Sequence, residues 1–306
     1  MAKTKEVKQA KEIKEESFEV KDGTITKIDK AADEFANQSM ILPSAEIMER
    51  REMWYNRIDV IFEIIKSLQA REAALLGKAN PVRCIKAHNI EYLKSNLRAF
   101  HFFERPYNLY ISLAKLRNMP CFCYKPDERK RQQQVFNDEF NRYLYGYDWG
   151  NDFDNKGNFN KLKKQVLVFA DLLREYKVTH CIKSSGNGFH ITVPWEVIAP
   201  FYDLPRDSED LIHDLEDMGM RINDIYNLPW MDTGVYQLRR VWKCPYSFDI
   251  KSGNIALPIS YEELKKAKEG FNSCENAAKL DIKTRGLMVW QGEPEGFKKL
   301  RDYLLS

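Results

Sequence analysis

The sequence is short of cysteine, of long apolar runs and of net charge, and each shortage excludes a class of protein. Six cysteines in 306 residues do not make the disulfide framework of a small secreted protein, so we expect a reduced, intracellular chain. No apolar run approaches the roughly 18 residues of a membrane span, and the charged start predicts no signal peptide. We therefore expect a cytoplasmic protein with no membrane partner. The net charge of +3 is too small to indicate nucleic-acid binding by itself.

Composition divides the chain into four regions. Residues 1–38 are rich in Lys and Glu and poor in large apolar side chains, so part of them is predicted to be mobile, with a strand hairpin around Ser17–Lys27. Residues 39–106 are predicted to be helical, and residues 107–265 mix strands with helices. Residues 266–306 are predicted to form a helical tail.

Periodicity places the elements within these regions. Residues 43–77 are predicted to be one helical stretch, with Ser44 as its cap and Gly77 at its end, followed by a second helix at Ile90–Phe100. Further along, Lys125–Gln134 is a basic, Gln-rich segment, and Phe140–Tyr147 is rich in β-formers. The mixed region is predicted to contain strands and helices at Tyr107–Leu113 (strand), Phe159–Tyr176 (helix), Val178–Lys183 (strand), His190–Pro194 (strand), Ser208–Tyr226 (helix) and Val235–Lys243 (strand). That order predicts an α/β fold of the α+β kind, with an RRM-like split βαβ sheet.

An acidic cluster follows the β-rich run. Side chains alternate along a strand, so Asp152 and Asp154 point to the same side and lie about 6–7 Å apart. Two such carboxylates can share Mg²⁺ or Mn²⁺ ions. Asp148 lies deeper in the strand and is an alternative first metal ligand. A solvated turn is the competing interpretation, since Asp, Asn and Gly are also turn residues.

A Ser/Gly turn leads into a histidine at the start of the next strand. Gly186 and Gly188 let backbone amides approach an anion closely, and Ser184 and Ser185 add hydroxyl donors. His190 can donate a hydrogen bond to a phosphate oxygen. A hairpin turn with an incidental histidine is the alternative.

A third acid precedes a basic strand. Asp232 could complete a three-carboxylate metal site, and Arg239 or Arg240 could hold a triphosphate, with Lys243 as a further candidate. Alternation along the strand allows only one of the two arginines to face the site. An exposed basic strand with Asp232 in a turn is the competing interpretation.

In this order and spacing, the three motifs resemble those of the archaeo-eukaryotic primase superfamily. Its members carry an Asp-x-Asp pair on a strand, a Ser/Gly turn ending in histidine, and a later lone Asp before an Arg-bearing strand. The resemblance covers about residues 107–265 and departs from the family where Gly188 replaces Ser and Tyr246 replaces Gly. The matching segments are Asp152–Asp154, Ser185–His190, Asp232, Leu238–Arg240, Pro245–Ser247, Lys251–Gly253 and Ala256–Ser260.

The resemblance implies a catalytic module whose RRM-like half faces a second α/β unit, with the active site in the cleft. It implies a template-dependent nucleotidyltransferase, a DNA primase or primase-polymerase. Asp152, Asp154 and Asp232 would hold two Mg²⁺ or Mn²⁺ ions that bridge the nucleotide phosphates and activate a 3′-hydroxyl. Nucleoside triphosphates and single-stranded or primed DNA are the expected partners, with a large subunit or helicase as a further one. A gap-filling repair polymerase of the same superfamily and a non-catalytic nucleic-acid-binding subunit are the alternatives.

Two further groups of residues carry weaker signals. The cysteines and histidine Cys84, His88, Cys121 and Cys123 could supply four zinc ligands, but free core cysteines are commoner and the spacing matches no zinc element of related primases. The basic segment offers four candidate template contacts, for which a solvated loop is the competing interpretation: Lys125, Arg129, Lys130 and Arg131.

Overall fold

The structure is a computed structural model that describes residues 18–21, 24–27, 43–77, 82–86, 89–99, 102–120, 122 and 126–306. The chain forms two compact units, residues 1–41 and 42–306. In the first unit, β1 (Phe18–Lys21) pairs antiparallel with β2 (Thr24–Lys27), which confirms the predicted hairpin. The mobility predicted for residues 1–38 lies outside the described residues.

The second unit contains both helices and strands. No helix in the described part of the chain is both long enough and apolar enough to cross a bilayer. The helices are α1 (Ala45–Tyr55), α2 (Ile58–Leu68), α3 (Ile90–Ala99), α4 (Pro126–Asp138), α5 (Phe140–Tyr143), α6 (Phe159–Glu175), α7 (Trp195–Ile198), α8 (Ser208–Tyr226), α9 (Tyr261–Lys266), α10 (Cys274–Ala278), α11 (Ile282–Arg285) and α12 (Gly296–Leu305). The strands are β3 (Arg71–Gly77), β4 (Val82–Ile85), β5 (Tyr107–Leu116), β6 (Leu144–Tyr147), β7 (Trp149–Phe153), β8 (Cys181–Ser184), β9 (Phe189–Val193), β10 (Met231–Asp232), β11 (Val241–Lys243) and β12 (Pro258–Ile259).

The first of two sheets, here called the split sheet, has the strand order β10-β7-β9-β8-β12 with every pair antiparallel. In the chain, β7, α6, β8, β9, α8 and β10 occur in this order, with the short α7 between β9 and α8, which is the split βαβ arrangement. Phe169 on α6 and Ile222 on α8 are fully buried in the core that covers one face of this sheet. The predicted α+β fold is confirmed.

The second sheet, here called the partner sheet, has the order β11-β5-β3-β4, with β6 added alongside β5. Its core includes Ile61 and Ile64 of α2, Leu75 of β3 and Leu109 of β5. The helical character predicted for residues 39–106 is therefore correct for α1, α2 and α3, but the same region also supplies β3 and β4.

Four local expectations are wrong. The helix predicted over residues 43–77 ends at Leu68, because Arg71–Gly77 pairs with strands on both sides and is buried on both faces, which removes the alternation that marks a strand. The solvated-loop interpretation of the basic segment is wrong, because the segment forms the helix α4, whose Glu, Lys, Arg and Gln residues are good helix formers. The run Phe140–Tyr147 is the short helix α5 followed by β6, and only Val241–Lys243 of the strand predicted from Val235 is a strand.

The two sheets meet at the face of the split sheet that the helices leave uncovered. A side chain at Gly150 of β7 would collide with Trp242 of β11 and Leu113 of β5 at 2.7–2.8 Å. Trp242 also lies over His190 of β9, with ring centroids 4.1 Å apart. Glycine at position 150 therefore allows the partner sheet to approach closely, and the polar residues of the split sheet line this junction.

Candidate active site

Four polar residues stand in a row across the split sheet. Asp232 of β10 is paired with Asp152 of β7, Asp152 with His190 of β9, and His190 with Lys183 of β8. Directly opposed residues project to the same face of a sheet. Strand pairing alone therefore brings together Asp152, His190 and Asp232, which belong to three separate sequence motifs.

The carboxylate of Asp152 is incompletely hydrogen-bonded. Its Oδ1 is buried without a hydrogen-bond partner and lies 3.5 Å from His190 Nε2. Burial raises the pKa of Asp152 to about 7, and the charges of Asp154 and Asp232 add to the rise. A divalent cation would satisfy the unpaired oxygen and remove the repulsion, so the donor set fits Mg²⁺ or Mn²⁺.

The other two acids are more open to solvent. Asp154 lies just beyond β7 and is exposed, with its backbone N–H donating to Trp230 at 3.0 Å. Asp232 accepts from the Gly234 N–H at 2.9 Å, and its second oxygen is 3.9 Å from Arg240 Nη2. As they stand, no three His, Cys, Asp or Glu side chains within the described ranges form a group that could hold a metal. The acids share a face without forming an assembled cluster.

His190 is held by a buried lysine. Lys183 Nζ contacts His190 Nδ1, and both side chains are buried. Burial and the nearby charges of Lys183, Lys243 and Arg240 lower the pKa of His190 well below its usual range. An ammonium can only donate, so Nδ1 accepts and Nε2 carries the proton. The neutral ring therefore directs an N–H donor toward Asp152. Burial lowers the pKa of Lys183 to about 8.

The Ser/Gly turn is compact and closely packed. Gly186 has a φ of +106°, and an added Cβ there would lie 2.8 Å from an Asp249 carboxylate oxygen. A Cβ on Gly188 would lie 2.3 Å from the Phe153 carbonyl oxygen. Ser185 donates its N–H to the Gly188 carbonyl at 2.9 Å. Only glycine fits at these two positions.

Ser184 faces away from this turn. Its hydroxyl donates to the Ile255 carbonyl at 2.8 Å and accepts from the Leu257 N–H at 2.9 Å and from Asn272 at 3.0 Å. The hydroxyl's donor and both acceptor positions are therefore used within the protein. The anion-binding role predicted for Ser184 stays a prediction, and the geometry favours Ser185 for it.

The basic residues divide between the site and its surroundings. Arg240 points toward Asp232, whereas Arg239 lies over the rings of Phe136 and Phe140, so only one of the two arginines faces the acids. Lys243 is buried and paired with Asp249. Burial lowers its pKa, and the Asp249 charge opposes that shift. Arg240 is thus the basic side chain nearest the acids on this segment.

Asp148, the alternative first ligand, is engaged elsewhere. Its Oδ2 pairs with Arg71 of β3, and its Oδ1 accepts from the Trp195 N–H at 2.9 Å. Both oxygens are used, and the side chain is buried. The geometry therefore favours Asp152 over Asp148 as the first acid of the site.

The weaker sequence signals are only partly described. The side chains of Cys84, His88, Cys121 and Cys123 lie outside the described residues, as does Lys125. Of the remaining candidate template contacts, Lys130 and Arg131 are exposed, while Arg129 is buried and donates to the Arg83 carbonyl at 2.7 Å.

Sequence reasoning missed four residues that surround the acids. Lys183 could have been found by counting back from the turn, because a hairpin places it opposite His190. Trp242, Tyr110 and Asp249 come from another sheet or loop, and no local pattern marks them. Lys243 Nζ lies 5.2 Å from the Tyr110 ring, and burial raises the pKa of Tyr110, with Asp249 and Asp152 adding to the rise.

No protein-family model and no curated protein matches the chain. Among solved structures, the chain is similar to the polymerase domain of Ligase D from Mycobacterium tuberculosis, solved in complex with DNA. The TM-score is 0.47 and the identity 11%, over 77% of this chain and 88% of that one.

Proposed function

We propose that the protein is a template-dependent nucleotidyltransferase of the archaeo-eukaryotic primase superfamily, which synthesises primers or extends DNA. The observation that carries the proposal is the row of Asp232, Asp152, His190 and Lys183 on the face of the split sheet that meets the partner sheet. Nucleotidyl transfer needs carboxylates for divalent cations beside donors for phosphate, and positioning with charge neutralisation supplies most of its catalysis.

We assign Asp152, Asp154 and Asp232 to metal binding. The unpaired Oδ1 of Asp152 and its raised pKa support this assignment. Two Mg²⁺ or Mn²⁺ ions bound there would neutralise phosphate charge and lower the pKa of an attacking hydroxyl. Asp154 is exposed and Asp232 is half-buried, so both side chains can change rotamer to meet a cation.

We assign the triphosphate to the donors beside the acids. His190 directs its Nε2–H to this face, and Arg240 offers a guanidinium that binds phosphate in a bidentate manner. The turn from Ser185 to Gly188 leads directly into His190, and the half-buried Ser185 adds a hydroxyl donor beside that ring. Lys243 acts through its contact with Asp249, which packs against Gly186.

A nucleotide-incorporation assay tests the proposal. The protein is incubated with labelled nucleoside triphosphates and Mg²⁺ or Mn²⁺, on a bare single-stranded template and on the same template with an annealed primer. Products on the bare template identify a primase, and extension of the primer alone identifies a gap-filling type of polymerase. The absence of incorporation on both would reject the enzyme and favour a nucleic-acid-binding subunit.

A matched pair of variants ties any activity to the site. Asp152→Asn removes one charge from the row and should abolish incorporation. Asp302→Asn removes one charge from the exposed helix α12, where Asp302 pairs with Lys298 at 2.7 Å, and should leave it unchanged. Loss in both variants would contradict the assigned site. The expected large subunit or helicase and the intracellular location stay predictions.

A further inference from the structure

A second concave site lies in the partner sheet, away from the acid row. It is a groove of about 570 Å³, here called the basic groove, and it is bordered by the α2–β3 turn, the end of β5 and Tyr145 of β6. Its volume is within the range of about 300–1,000 Å³ that is typical of ligand sites. The described lining contains Arg71, Lys86 and Arg117 and no carboxylate. The groove therefore has the chemistry of an anion site.

Two of its three cations have no counter-charge in the part of the chain that the structure describes. Lys86 Nζ donates to the Met119 carbonyl at 3.1 Å, and Arg117 lies over the Tyr145 ring at 5.1 Å. Neither has a carboxylate partner among the residues that the structure describes. Arg71, the third, pairs with Asp148. Cations that are held in a concave surface without counter-charges attract polyanions.

The Arg117–Tyr145 pair adds a flat surface to the charge. Arginine and tyrosine faces both stack on nucleobases, which is how single-strand-binding proteins combine backbone charge with base contacts. Tyr145 is half-buried and Arg117 exposed, so a base can reach the guanidinium. A groove with both features suits a nucleic-acid strand better than a small inorganic anion.

The groove shares one lining residue with a small cavity beside the candidate active site. Arg71 lines both the groove and a cavity of about 70 Å³ that Asp148 and Lys183 also line, and Lys183 contacts His190. Asp148 and Asp152 are four residues apart, which is about 13 Å along the strand. The groove is therefore too far away for the reacting nucleotide itself, but a strand of a few nucleotides can span that distance.

We propose that the basic groove binds the single-stranded template, with Lys86 and Arg117 contacting its phosphates and Tyr145 supporting a stacked base. This inference rests on the proposed function, because it takes the reacting nucleotide to occupy the acid row. It adds a location for the template that the sequence motifs do not contain.

The test is binding of a fluorescein-labelled 20-nucleotide deoxythymidine strand, measured by anisotropy over a range of salt concentrations. The double variant Lys86→Ala/Arg117→Ala should bind at least about tenfold more weakly at low salt. Its plot of log affinity against log salt should be shallower by about 1.4, because each single-strand phosphate contact contributes about 0.7.

The matched control is Arg206→Ala/Lys299→Ala. It removes the same charges from exposed positions outside the groove, where Arg206 pairs with Asp207 and Lys299 with Glu293. Its affinity should stay within twofold of the unmodified protein. Unchanged affinity and slope in the groove variant, an equal loss in the control, or no binding by the unmodified protein would each overturn the proposal.

Folding and activity are measured alongside. If thermal unfolding shows that the double variant is misfolded, Arg117→Ala alone carries the test, since this exposed side chain contacts only Tyr145 among the described contacts, and the slope should change by about 0.7. If the groove variant loses strand binding and the unmodified protein incorporates no nucleotide, the groove is supported and the proposed function is rejected. If the groove variant binds the strand and incorporates nucleotides normally, the proposed function is supported and the groove is rejected.

Discussion

Among single residues, Asp152 destabilises the folded protein when its carboxyl group ionises. A carboxyl whose pKa is about 7 in the folded protein and near 3.8 when unfolded binds its proton more tightly in the folded state. The folded state therefore loses stability as the pH rises from about 4 to 7, by up to about 4 kcal/mol at about 1.36 kcal/mol per pKa unit. Below pH 4 both states are protonated and this difference vanishes.

We predict that Asp152→Asn raises the metal-free free energy of unfolding at pH 8. The gain should shrink as the pH falls toward 4, because the unmodified carboxyl is then neutral as well. Urea unfolding in the presence of EDTA at several pH values measures it. Mn²⁺ should stabilise the unmodified protein, by about 2.7 kcal/mol at a hundred times its dissociation constant, and should stabilise the variant much less. A gain that does not change with pH would contradict this account.

Gly188 occupies a position where the packing leaves no room for a larger side chain. We predict that Gly188→Ala lowers the free energy of unfolding by about 1–3 kcal/mol, because its Cβ would meet the Phe153 carbonyl oxygen at 2.3 Å and force β7 and β9 apart. The exposed neighbour Asn187 provides the control, and Asn187→Ala should change stability by less than about 0.5 kcal/mol. Thermal or urea unfolding of both variants measures the difference. Equal stabilities would show that the turn relaxes freely.

The sequence predicts the residues of the acid row better than their surroundings. Asp152, His190 and Asp232 are recognisable because each lies in or beside a strand-like run and the three occur in the order of the motifs described above. Tyr110 and Trp242 are not recognisable, because they reach the site only when the partner sheet packs on the split sheet. That packing depends on Gly150, whose role is visible only in three dimensions.

Among elements, the Arg71–Asp148 pair joins β3, the start of β7 and the start of α7. Arg71 also donates to the Ser112 and Leu113 carbonyls at 3.0 and 2.9 Å. We predict that Asp148→Asn lowers the free energy of unfolding by about 3 kcal/mol, because it leaves a buried guanidinium charge without its carboxylate. Urea unfolding measures the loss.

The same variant separates structural from metal-binding acids. Asp148→Asn should keep the stabilisation by Mn²⁺ that Asp152→Asn loses. If instead Asp148→Asn abolishes the effect of Mn²⁺ and Asp152→Asn retains it, then Asp148 is the first metal ligand.

Element prediction from sequence succeeds where one face of an element is exposed. The helix predicted at Phe159–Tyr176 is observed at Phe159–Glu175, and Ser208–Tyr226 has the predicted bounds. The method fails at Arg71–Gly77, where burial on both faces gives an unbroken apolar run that resembles the preceding helix. It also fails at α4, because a polar helix whose one buried apolar residue, among those described, is Phe136 shows little periodicity.

For the whole of residues 42–306, the two apolar cores are contiguous. Phe271 packs against both, and Trp242 of the partner sheet belongs to the core of the split sheet. We predict a single cooperative unfolding transition, in which tryptophan fluorescence and far-UV circular dichroism coincide. Trp54 and Trp149 report from one core each. Separate midpoints for variants that lack one or the other tryptophan would show that the cores unfold independently.

The row of Asp232, Asp152, His190 and Lys183 also restricts where residues can be inserted into or deleted from the chain. Successive residues of a strand alternate between faces, so a one-residue insertion within β9 would carry His190 to the face covered by α6 and α8. Substitutions at the exposed Asn187 leave this parity untouched. Homologous or engineered chains can therefore vary in the side chains of the turn, whereas a one-residue insertion or deletion inside β8 or β9 would remove a member from the row.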